Sequence, residues 1–73
     1  MTIVLENYSS RETGLLADIE QEKYCSFYTL DVYRPIDDGP IAQSVFRGNY
    51  MTAASARRAL RRFASDWEKE KEA

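Results

Sequence analysis

The chain has 73 residues, one cysteine (Cys25), no histidine and a formal net charge of −2. That length makes at most one domain, residues 1–73, which buries only about 60% of its unfolded surface, and a single cysteine permits no internal disulfide and too few ligands for structural zinc. Without imidazole there is no Ser-His-Asp or Cys-His arrangement, and the isolated glycines Gly14, Gly39 and Gly48 form no phosphate-cradling loop.

The first element expected is a strand over residues 2–8, centred on Ile3, Val4 and Leu5. Residues 10–22 read two ways. Ser9 with Glu12 three positions later has the form of a capping box opening a short helix, which Gly14 weakens. Over residues 13–20, however, Leu15, Ala17 and Ile19 alternate with Leu16, Asp18 and Glu20, and that alternation favours a strand. Gln21-Glu22-Lys23 then makes a polar connection. Residues 24–34 form the clearest strand, dense in Tyr24, Phe27, Tyr28, Thr29, Val32 and Tyr33. A turn cluster follows, with Asp38-Gly39 at its corner. Residues 41–47 return as a strand that Gly48-Asn49 ends. In this setting Asp37-Asp38 is turn chemistry, and Cys25 within its strand is a buried, inert thiol.

Thr52 caps an amphipathic helix that the pattern extends to about residue 71. Ala53, Ala56, Leu60, Phe63, Ala64 and Trp67 fall within about 60° of one direction, and Trp67 is expected to bury against the sheet. Arg57, Arg58, Arg61 and Arg62 occupy one flank and the back. Like charges at i,i+4 cost a few tenths of a kcal/mol, and Asp66, Glu68, Glu70 and Glu72 crowd the end where the macrodipole disfavours acids. The predicted fold is α+β: a small antiparallel sheet of three or four strands, with one C-terminal amphipathic helix packed on one face.

Charge is uneven. Residues 1–51 carry four Lys/Arg against eight Asp/Glu, while residues 52–73 carry six against four. Two binding surfaces follow. One is the arginine face, Arg57, Arg58, Arg61 and Arg62. The other is the sheet face away from the helix, where Phe27 and Tyr33 are expected beside Phe46, opposite a face of Tyr24, Tyr28, Leu30 and Val32. The segment Ser55-Ala56-Arg57-Arg58-Ala59, after a hairpin and a Thr cap, is loosely similar to the basic, Ala-rich last helix of double-stranded-RNA-binding domains. The same arrangement is loosely similar to the three-stranded arm-type DNA-binding domain of phage integrases. The resemblance covers roughly 25 residues and implies nucleic-acid binding through the arginine face.

The acidic remainder of the chain weighs against a polyanion. The expected function is therefore a non-enzymatic protein-interaction module, accessory or regulatory, acting by binding. Nucleic-acid binding through the arginines is the alternative. No cofactor, metal or small molecule is expected. No apolar run approaches a membrane span, no signal peptide is evident, and the lone cysteine fits the cytoplasm. A marginal core and aromatics on both faces of one strand predict a homodimer, through the helix flank or the open sheet face. Two antiparallel helices would set the arginines against Asp66, Glu68, Glu70 and Glu72 of the second copy.

Overall fold

The computed structural model describes residues 2–22, 25–36 and 42–69. It is an α+β fold with a five-stranded antiparallel sheet and one helix. The elements are β1 (Thr2–Ser9), β2 (Leu16–Glu22), β3 (Tyr28–Arg34), β4 (Gln43–Tyr50), α1 (Ala53–Leu60) and β5 (Glu68–Lys69), and the sheet order is β4-β3-β2-β1-β5. No helix among the described residues is long and apolar enough to cross a membrane.

Strand pairing sorts side chains onto two faces. Ala17 pairs with Val32 and Ile19 with Leu30, and all four are fully buried. Ala56, Ala59 and Leu60 of α1 join them, with Leu15, in one buried cluster. Asp18 pairs with Asp31 and Leu16 with Tyr33 on the other face, because successive side chains alternate. Glycine has a specific place here. Gly48 pairs with Leu30 on the cluster side, and a Cβ on it would lie 2.6 Å from Cζ of Phe46. The strand therefore passes through Gly48 and reaches Tyr50, beyond the expected end at residue 47: this glycine admits a ring rather than ending a strand.

The segment of two readings is a strand. Residues 11–13 form a turn, Gly14 takes φ +73°, and Gly14 N–H donates to the Ser10 carbonyl at 2.9 Å. β2 then starts at Leu16 and continues through Gln21 and Glu22, which were expected to be a connection. β3 is shorter than predicted. Cys25, Ser26 and Phe27 precede it in a bend, and Cys25 is half-buried rather than enclosed in a strand. The expected positions of Tyr24 and of the Asp38-Gly39 corner lie outside the described residues.

The largest departure is the helix. α1 ends at Leu60, well short of residue 71. Arg61, Arg62 and Phe63 donate instead to the carbonyls of Arg58, Ala59 and Leu60 at 3.3, 3.2 and 3.0 Å, the tightened spacing of a final turn. Stacked arginines followed by acids at the helix end disfavour continuation. The chain then folds back, and Glu68 and Lys69 pair with Ser9 and Tyr8 as a fifth strand, one more than the upper expected count. Phe63 still meets the core side, its ring centroid 5.2 Å from that of Phe46.

Candidate functional site

The four arginines singled out by the sequence do not act alike. Arg57 turns to β1, where its Nε lies 3.0 Å from both carboxylate oxygens of Glu6 and its Nη2 lies 2.7 Å from Oε2. Glu6 is only 8% exposed, and it also receives Tyr8 Oη at 2.6 Å and Lys69 Nζ at 3.4 Å. The Arg57 fork holds the Glu6 carboxyl down to about 2. Burial opposes this, and Tyr8 and Lys69 reinforce it. Burial first, then Glu6, pushes the Tyr8 hydroxyl up. Glu6 reaches this position through a bulge. Val4 pairs with Glu20 on the outer face, Leu5 is the extra residue, and Glu6 pairs with Ile19 on the core side.

Arg58, Arg61 and Arg62 are exposed, and among the described residues none has an ion-pair partner. Arg58 and Arg62 line a cleft of about 260 Å3 with Tyr50, Ser55 and Ala59. Of this lining, Ser55 takes part in the helix cap: its N–H donates to Thr52 Oγ1 at 3.1 Å, and that hydroxyl donates to Ser55 Oγ at 2.9 Å. Arg58 Nη2 lies 3.4 Å from the same Ser55 Oγ. Arg61 sits at the C-cap, outside this lining.

The outer sheet face is acidic. Asp18 and Asp31 pair across β2 and β3, with Glu20 one position further along the same face. Arg47 is the cation paired with them, 3.6 Å from Asp31 and 4.0 Å from Glu20. Burial raises the pKa of Asp18, with Asp31 adding to the rise and a hydrogen bond from Tyr33 opposing it. Burial likewise raises that of Glu20, against the pull of Arg47. Tyr33 Oη donates to Asp18 Oδ1 at 3.3 Å, and burial first, then Asp18, raises the phenol.

Tyr33 and Phe27 are both half-buried but are not brought together, since Phe27 precedes β3 and Tyr33 is near its far end, roughly 20 Å along an extended strand. Phe46 does not join them. It pairs with Val32 on the core side and meets Phe63. The predicted aromatic patch is thus replaced by carboxylates around Tyr33. The antiparallel helix pairing also loses its basis. Asp66 accepts from Ser10 Oγ at 2.6 Å and from Glu12 N–H at 3.0 Å, which keep its carboxyl below the usual range. Glu68 lies in β5, and Glu70 and Glu72 lie outside the described residues.

No known protein family, curated protein or solved structure matches the chain.

Proposed function

We propose that this chain, residues 1–73, is one small domain that works as a non-enzymatic protein-interaction module, accessory or regulatory, in the cytoplasm. In this reading α1 forms a layer over one face of the sheet and leaves the acidic face open. The observation that carries it is the contrast between Arg57, held by Glu6, and Arg58, Arg61 and Arg62, which have no ion-pair partner among the described residues. Three guanidiniums on little more than one turn fit an acidic segment of a partner protein. A long polyanion would also meet the field of Asp18, Glu20 and Asp31. The unpaired arginines would also serve the alternative, a nucleic acid, and the two readings separate experimentally. Self-association belongs to the same proposal, now through the open sheet face around Tyr33.

The test is capture on the immobilised chain from extract of the native host, with and without nuclease treatment. The protein reading expects a partner retained by the wild type and lost on R58E/R61E/R62E. Retention that nuclease abolishes supports the nucleic-acid reading, and retention of nothing by either chain overturns both.

A further inference from the structure

We propose that the cleft between Tyr50, Ser55, Arg58 and Arg62 receives a phosphomonoester dianion carried on a side chain of a partner peptide. This rests on the protein-interaction reading and names the chemistry of its partner.

Arg57 shows what one guanidinium fork accepts. One guanidinium there takes both oxygens of one carboxylate. A carboxylate therefore satisfies one fork. The cleft presents two, from Arg58 and Arg62, with no carboxylate paired to either among the described residues. A phosphomonoester has three terminal oxygens and a charge near −2 at neutral pH, enough for two forks and a further donor. That donor is present. Ser55 Oγ accepts from Thr52 Oγ1, and Arg58 Nη2 approaches it, so its own O–H is left to donate outward. The half-buried Tyr50 supplies a wall against which the carbon chain of the modified residue can lie.

The size of the patch decides between a phosphorylated side chain and a nucleic-acid backbone. Arg57 is neutralised by Glu6, and Arg61 lies outside the lining. Two forks, with no further unpaired cation in the lining, match one phosphate and not a run of them. A nucleic-acid tract needs a row of cations, and affinity there grows with the number of phosphates engaged.

The experiment is a titration of the full 15N-labelled chain followed by backbone amide shifts. Four probes are used: a short Gly/Ala peptide with one central phosphoserine, the same peptide with serine, sodium phosphate, and an oligouridine RNA. The expected result is saturable shifts at Tyr50, Ser55, Arg58, Ala59 and Arg62 with the phosphopeptide, none with the serine peptide, and weaker ones with phosphate alone. R58A/R62A should weaken phosphopeptide binding by about tenfold or more, and R58K/R62K should fall between, because a lysine has the charge without the fork. Phosphate binding as tightly as the phosphopeptide overturns the peptide source. RNA binding more tightly than the phosphopeptide, and more so with length, overturns the side-chain assignment in favour of a backbone. Shifts absent with all probes overturn the site itself. In that last case, host-protein capture that still depends on the arginines leaves the interaction reading standing, and failure of both removes it.

Discussion

The indole N–H of Trp67 donates to the main-chain carbonyl of Leu60 at 2.7 Å. That carbonyl is the last of α1, and it also accepts from Phe63 N–H at 3.0 Å and, more weakly, from Ala64 N–H at 3.4 Å. Trp67 therefore adds a side-chain donor to the helix end from seven residues downstream and is also a half-buried ring against the core. Trp67→Ala should lower stability by about 3 kcal/mol, the low end for loss of a large ring. Trp67→Phe keeps the apolar body, removes the donor and should cost about 1 kcal/mol. Chemical denaturation of the two variants checks this, and a Trp67→Phe protein as stable as the wild type would show that the hydrogen bond contributes nothing.

Glu6 ties acid stability to α1. Its folded pKa, about 2, lies below the ordinary value of 4.5, so its contribution is complete above about pH 4.5 and is lost as pH falls toward 2. The shift corresponds to at most about 3 kcal/mol, less in so far as solvent screens the half-exposed Arg57. Glu6→Gln should destabilise the fold by about 2 kcal/mol at pH 7 and by almost nothing at pH 2. Thermal melts of both proteins across that range are the measurement, and a pH-independent difference would contradict the assignment.

Gly48→Ala should cost about 1–3 kcal/mol, because its Cβ meets the Phe46 ring that Phe63 also contacts. Phe46→Leu in the same background should restore part of that loss, since it removes the ring atom in the way. A denaturation series on the single and double variants reads the coupling.

Self-association should strengthen in acid. Asp18 and Glu20 have raised pKa values, so they take up protons before ordinary carboxylates as pH falls, and repulsion between two open sheet faces falls with their charge. Sedimentation equilibrium at pH 7 and pH 5 should give a smaller dimer dissociation constant at pH 5, and Asp18→Asn should weaken that dependence. A single-chain mass at both values would end the dimer proposal.

The sheet was legible where periodicity was strong. The alternation from Leu15 to Glu20 and the aromatic, β-branched run ending at Arg34 both became strands, shifted by a few residues. The helix end was not legible, because Phe63, Ala64 and Trp67 keep helical spacing although the chain has left the helix. They reach the core from a turn and the approach to β5. The misplaced charges, arginines together and acids late, were the available warning. Glu6 was hidden by the bulge at Leu5, which moves it to the opposite face from Val4, and local patterning carries no sign of that register shift. The engagement of Arg57 and the cleft at Arg58 and Arg62 follow from the same long-range placement.

The central claim is that the unpaired arginines meet a protein and not a nucleic-acid backbone. Fluorescence anisotropy with mixed-sequence duplex DNA and single-stranded RNA, titrated from low to physiological salt, tests it most directly. Neither should bind saturably at physiological salt, and binding at low salt should be weak and independent of nucleic-acid sequence. Tight binding whose logarithm falls with log salt at a slope near −3, flattening by about one unit for each of Arg58, Arg61 and Arg62 removed, would contradict it.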